Sequence, residues 1–175
     1  DVQDMFIEQL NAENPNQYLA PQGYQDFVTR KEIIKVKDKP DVELTVRESR
    51  HGPIISDVSK DAMSAASVTG SNYALAFAWT ALRNDDLTLQ AAIKMNHSTN
   101  WEEFVDALRD FQVPHQNIVY ADVEGNISFY APARVPIRKS GDGMIPVPGW
   151  TGEYDWTGFV PFEELPNAFN PPSGE

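Results

Sequence analysis

The sequence predicts an α+β protein, rich in strand at both ends and helical in the middle, and three observations predict it. Val42, Leu44 and Val46 alternate with Glu43, Thr45 and Arg47, the period of two expected of a strand with one wet face. Trp101, Phe104, Val105 and Leu108 recur at i, i+3, i+4 and i+7, one apolar helical stripe. From Pro132 onward fall eight of the 13 prolines, with glycines and aromatics between them, and no continuous helix tolerates that spacing.

The elements follow in order. Met5, Phe6, Ile7 and Leu10 form a short apolar cluster that period alone leaves as strand or helix. Asn11 to Gly23 is rich in Asn, Pro and Gln and reads as a loop. Residues 27–36 pair with the strand around Val42 through the turn Lys37-Asp38-Lys39-Pro40-Asp41, giving a β-hairpin. Seven of the 14 basic residues lie between Arg30 and Arg50, as a solvated strand face with edge lysines would have. Arg50-His51-Gly52-Pro53 ends the hairpin, Ile54 and Ile55 suggest a further strand, and Ser59 to Asn72 reads as a loop or weak helix. Tyr73 to Trp79 has the composition of a buried strand. Two helices come next. Asp85 or Asp86 caps the first, with Leu89 and Ile93 on one face; Asn100 caps the second, with Glu103 three residues on. Ile118 to Asp122 and Ile127 to Ala131 flank Val123-Glu124-Gly125-Asn126 as a second hairpin.

Composition excludes several function classes. With 14 basic and 26 acidic residues the net charge is −12, the wrong sign for a phosphate-binding surface or an anionic membrane. The absence of Cys removes disulfides, thiol nucleophiles and Cys-ligated zinc. None of His51, His97 and His115 lies in an HExxH spacing or follows a GxSxG elbow, and no glycine-rich phosphate loop is present. Asp1, Asp4 and Glu8 could bring carboxylate oxygens together for a hard cation, or form a solvated acidic end. Trp150, Tyr154, Trp156, Phe159 and Phe162 could stack on sugar rings, as in a secreted glycan-binding module, or serve as core and clamp residues.

The ordered strings carry more than these spacings do. They are Asp1-Val2-Gln3-Asp4-Met5-Phe6-Ile7-Glu8, Arg50-His51-Gly52-Pro53-Ile54-Ile55, Asn100-Trp101-Glu102-Glu103-Phe104, and Gln116 through Tyr120-Ala121-Asp122-Val123-Glu124-Gly125-Asn126-Ile127. To these add Pro146-Val147-Pro148-Gly149-Trp150, Tyr154-Asp155-Trp156-Thr157-Gly158 and Asn170-Pro171-Pro172-Ser173-Gly174. Together they resemble the penicillin amidase family of N-terminal-nucleophile hydrolases, along the whole chain apart from residues 59–72.

That resemblance implies a secreted or periplasmic zymogen that cuts itself into two chains. The new N-terminal Ser of the larger chain then attacks a linear amide in a penicillin, a cephalosporin or an acyl-homoserine lactone. The parent would be an αββα sandwich, and this chain an internal segment of its larger chain, starting after the nucleophile and stopping before the oxyanion-hole Asn. Its partners would be the parent's smaller chain, the rest of the larger chain and a small-molecule amide. No catalytic residue carries over. The resemblance does carry a calcium site, with Asp1 and Asp4 as carboxylate ligands and Gln3 and Gly143 as carbonyl ligands. It also places Gln116 and Asn117 by the acyl pocket, where Gln116 would make a more polar wall; the other reading is that both only satisfy backbone groups at a strand start. The expected division is a β-rich lobe, 1–58 with 131–175, and a segment, 59–130, that docks on the catalytic core. Alone, the piece is expected to expose apolar surface and to self-associate or be partly disordered, most of all in 59–72. The rivals are the glycan-binding module and a stand-alone hydrolase using His51 or His115.

Overall fold

The structure, a computed structural model, describes residues 2–67, 70 and 72–174. In chain order the strands are β1 (Gln3–Gln9), β2 (Gln17–Ala20), β3 (Gly23–Asp26), β4 (Val28–Ile34), β5 (Val42–Ser49) and β6 (Gly52–Pro53). Helix α1 (Lys60–Ser67) and strand β7 (Tyr73–Trp79) follow, then helices α2 (Thr88–Met95) and α3 (Trp101–Leu108). Six short strands complete the chain: β8 (Ile118–Ala121), β9 (Ile127–Tyr130), β10 (Pro136–Arg138), β11 (Val147–Pro148), β12 (Trp156–Phe159) and β13 (Asn167–Phe169). This is the mixed helix-and-sheet class expected from the sequence. Among the described residues no helix is long and apolar enough to cross a membrane.

Two compact units emerge, and their boundaries differ from the expected ones. One comprises Gln3–Ala78 and Arg138–Asp155; the other comprises Trp79–Ile137 and the chain from Trp156 on, joined by Val2. The reason is strand pairing. In the first unit β1 lies between β11 and β7, so residues beyond 58 belong with the N-terminal strands. In the second, β13 pairs antiparallel with β9, which draws the C-terminal residues to the helices rather than to the β-rich lobe.

Within the first unit β1 is a strand because Asp4, Phe6, Ile7 and Glu8 are all buried between its neighbours. The Asn- and Pro-rich stretch is not wholly loop: β2 and β3 form a small hairpin, with Tyr18 and Ala20 facing inward. The β4–β5 hairpin forms as expected, with Ile34 opposite Val42 and Val28 opposite Glu48. Residues 52 and 53 continue that sheet as β6, while Ile55–Asp57 turns into a single 3-10 turn instead of a strand. Ser59, just before helix α1, caps it: its hydroxyl accepts from the Ala62 amide at 3.3 Å. Ala62 and Ala66 of α1 pack with Ile7 and Leu75, and Ile55, Tyr73 and Trp150 close that core. The disorder expected for 59–72 falls partly on residues 68, 69 and 71, outside the described residues.

The second unit is built on α3. Asn100 Oδ1 accepts from the Glu103 amide at 2.9 Å, and Glu103 Oε2 accepts from the Thr99 amide at 2.8 Å, a reciprocal cap offset by one residue. The Trp101, Phe104, Val105 and Leu108 stripe meets Tyr130, Leu165, Ile118 and Phe162 in the core. Helix α2 keeps Leu89 and Ile93 on one face, but that face is the outer one. Thr88, Ala91 and Met95 form its inward face, and the Thr88 hydroxyl accepts from the amides of Gln112 and Val113, both at 3.1 Å. That anchor rotates Leu89 and Ile93 outward, leaving them 77% and 57% exposed. Gly125, at φ +87°, closes the β8–β9 turn, where the Asp122 side chain accepts from the amides of Glu124 and Asn126.

Substitution separates these faces. Leu108→Ala, at a fully buried position, is expected to cost about 2–5 kcal/mol. Leu89→Ala is expected to change stability by less than about 0.5 kcal/mol. Urea unfolding of both variants checks this, and equal losses would contradict the placement of α2.

Candidate functional site

The densest polar cluster among the described residues lies inside the first unit and is built from β1, the β5–β6 turn and the loop after β11. It arises because β1 turns Glu8 inward beside Ile7, where a carboxylate has no water and must find partners. Glu8 Oε1 accepts from the Ser49 hydroxyl at 2.7 Å and lies 2.7 Å from His51 Nδ1. The other ring nitrogen, His51 Nε2, lies 3.1 Å from Asp155 Oδ1. Phe6 stacks flat on the imidazole, with centroids 3.7 Å apart and planes 2° apart. Arg50 then grips Asp155 with two hydrogen bonds of 2.7 Å and gives a third, 2.8 Å long, to the Gly149 carbonyl. The Arg50 amide donates to the Tyr18 hydroxyl, and burial pushes that phenol's pKa up.

Glycine is required at 149. A Cβ there would stand 2.4 Å from Glu8 Oε2 and 3.1 Å from His51 Cε1. The same Oε2 is buried without a hydrogen-bond partner, so the backbone of Gly149 closes over an already constrained carboxylate.

Chemically, this cluster holds rather than reacts. Both ring nitrogens of His51 face carboxylate oxygens, and Ser49 gives its proton to Glu8 instead of to the imidazole. Neither nitrogen is free to act as base for a hydroxyl, which removes His51 as the centre of a stand-alone hydrolase. His115 sits exposed on the second unit, just before β8.

The other residues expected from the sequence fall in two places. Asp4 is buried on β1, and both of its carboxylate oxygens accept from Arg138, with bonds of 2.8, 2.9 and 3.1 Å. Gly143, at φ +77°, lies close by: a Cβ on it would come within 2.3 Å of Asp4 Oδ1. Gln3 is an exposed residue at the start of β1, and Asp1 lies outside the described residues. Among the described residues no three His, Cys, Asp or Glu side chains gather to hold a metal. Of the two carboxylates expected to hold calcium, the described one, Asp4, is matched by the Arg138 guanidinium. Gln116 and Asn117 are both exposed, immediately before β8.

The aromatic stretch is largely occupied. Trp150 packs on the α1 core and lies 5.6 Å from Tyr73, while Phe162 stacks on Tyr130 at 4.7 Å. The guanidinium groups of Arg83 and Arg134 each lie over the Phe159 ring at 5.5 Å. Core and clamp roles account for these rings, so the glycan-binding reading is not favoured.

Sequence reasoning missed Glu8 and Asp155 as partners of His51, and Arg138 as the partner of Asp4. The separations are 43, 104 and 134 residues, and no local pattern signals such pairs.

The family model for penicillin amidase matches residues 1–175. The chain belongs to the penicillin amidase family. It is 33% identical over 174 residues to a penicillin acylase 2 proenzyme of Pseudomonas sp. (strain SE83), covering 99% of this chain and 21% of that protein. It is 34% identical over 175 residues to the acyl-homoserine lactone acylase QuiP of Pseudomonas fluorescens, again covering 99% and 21%. Against a penicillin G acylase of Escherichia coli the identity is 35% over 175 residues, 99% of this chain and 19% of that one. Among solved structures it is similar to a thermostable penicillin G acylase from Alcaligenes faecalis. The TM-score is 0.84 at 30% identity, over 99% of this chain and 30% of that one. The chain thus spans about a fifth of the length of the curated relatives it matches.

Two outcomes follow from this penicillin amidase segment's polar cluster. Gly149→Ala, which drives a methyl into a pinned carboxylate, is expected to cost about 1–3 kcal/mol. Gly158→Ala, with nothing within 4 Å of its new methyl, is expected to stay within about 0.5 kcal/mol in the same thermal melts. The second concerns pH. Burial raises the Asp155 carboxyl, but hydrogen bonds and charge from Arg50 and His51 outweigh it and hold the group below the ordinary carboxylate range. A depressed folded-state value gives stability that is present above the unfolded value of about 3.9 and is lost as pH falls through the folded one. Asp155→Asn is therefore expected to lower stability at pH 7 and to flatten the decline below about pH 4, as read by denaturant unfolding across pH.

Proposed function

We propose that this chain is a non-catalytic internal part of an acylase that hydrolyses a linear amide of the penicillin, cephalosporin or acyl-homoserine lactone type. The nucleophile would be an N-terminal Ser carried elsewhere on the polypeptide. Its own α-amino group, with a pKa of about 8, is partly neutral at working pH and accepts the hydroxyl proton. An oxyanion hole, also outside these residues, stabilises the tetrahedral intermediate. The whole enzyme would be an exported αββα sandwich that matures by self-cleavage.

One observation carries this reading: an ordered match along 99% of the chain to acylases of which it covers only about a fifth. The polar cluster supports it, because His51 is held between two carboxylates. In the complete enzyme Gln116 and Asn117 would contribute a polar edge to the acyl pocket. Their exposure here leaves them available for that role. A structural calcium ion would have to share Asp4 with Arg138 and take its other ligands from the rest of the polypeptide.

The purified 175-residue chain is expected to give no turnover of a chromogenic phenylacetyl amide, where the complete acylase does. Turnover by the chain alone would overturn the assignment.

A further inference from the structure

The β4–β5 hairpin stands largely in water. All seven residues of β4 are exposed, and β4 is an edge of the sheet β4–β5–β6. Strand β6 is only two residues long, so most of the hairpin is a two-stranded ribbon, which is marginal without a third strand or a covered face. Alternation sorts its side chains. Val28, Arg30, Glu32 and Ile34 share one face of the ribbon, and with them the facing Val42, Leu44 and Val46 of β5. That face is mostly apolar, yet Val28, Ile34 and Val42 are 71%, 49% and 50% exposed.

The order of residues along β4 has a second property. Read outward from Lys31 it gives Arg30 and Glu32, then Thr29 and Ile33, then Val28 and Ile34. Opposite charges flank the centre, and β-branched apolar residues close the two ends. An antiparallel copy laid along the free edge and centred on Lys31 therefore sets Arg30 opposite Glu32 of the second copy, and Val28 opposite Ile34, each twice by symmetry. Within one copy Arg30 and Glu32 already pair along the strand at 2.9 Å, but an exposed pair of this kind holds its members weakly and lets them exchange partners. Lys31 meets Lys31, but each ammonium already lies 2.7 Å from Glu43 Oε1 of its own β5. Edge charges discourage pairing when like signs meet, and here opposite signs do.

We infer that β4 is a self-association edge, on which a second copy of this chain pairs antiparallel about a two-fold axis at Lys31. The two ribbons become one four-stranded sheet, and their apolar faces become continuous. Symmetry selects this occupant: an isologous interface must match itself, and β4 does so in both charge and size about a single residue. The overall charge selects the place. Residues 28–48 hold six basic and five acidic residues, a net +1, whereas the remainder holds eight basic and 21 acidic, a net −13. Two copies that repel one another elsewhere repel least at this hairpin. The inference stands apart from the acylase reading and needs no part of it.

Sedimentation of the 175-residue chain over a concentration series tests it. The chain is expected to dimerise. Arg30→Glu alone, or Glu32→Arg alone, is expected to weaken the dimer about ten-fold or more, since each sets like charges opposite one another twice. The two single variants mixed together are expected to associate again, and so is the chain carrying both changes, because opposite charges then face each other. A chain that stays monomeric up to about 1 mM would overturn the inference. So would a dimer indifferent to these changes, or one that mixing fails to restore. Hydrogen exchange gives a second reading that needs no variant. Amides of Val28–Ile34 that point away from β5 are expected to exchange more slowly as the concentration of the unaltered chain rises, and exchange that does not change with concentration would again overturn it.

Discussion

A carboxylate with no exposed surface sits on the central strand of the first unit, and much of that unit is arranged around it. Glu8 cannot be left alone there: an uncompensated buried charge costs several kcal/mol, far more than an exposed pair contributes. Its partners, and theirs in turn, are drawn from two distant stretches of chain. Ser49 and His51 come from the β5–β6 turn, and Gly149 and Asp155 from the loop beyond β11, itself tied back through Arg50. A hydrophobic core tolerates approximate packing, whereas a buried polar network works only when each partner is within hydrogen-bond reach. The network therefore fixes where the turn and the loop lie relative to β1.

This arrangement also denies a cluster with Ser, His and two acids the geometry of a catalytic triad. A triad needs an imidazole nitrogen open to a hydroxyl and the hydroxyl open to substrate. Here the ring is stacked under Phe6 and both its nitrogens face carboxylates. The Asp4–Arg138 pair repeats the principle on the same strand: a buried acid matched by a guanidinium rather than held ready for chemistry. In the first unit these polar side chains tie strand β1 to distant turns and loops.

Local signals were legible in the sequence, and long-range ones were not. The α3 stripe, its Asn100 cap and the Gly125 turn depend on residues within a few positions of one another, so pattern reading found them. Helix α2 was legible as a helix but not in which way it faces, because its orientation is set by Thr88 bonding residues 24 and 25 positions away. The β2–β3 hairpin was hidden by Asn and Pro, and its short strands bury only Tyr18 and Ala20. The ordered strings identified the family. They could not reveal that Arg138 occupies the Asp4 carboxylate, since that contact joins residues 134 apart.

The claim that Glu8 and His51 act as one structural unit is tested most directly by a double-mutant cycle with Glu8→Gln and His51→Ala, measured by denaturant unfolding at pH 7. The account predicts a coupling of at least about 1.5 kcal/mol, because each single change strands the other's buried group. Losses that add to within about 0.5 kcal/mol would contradict it.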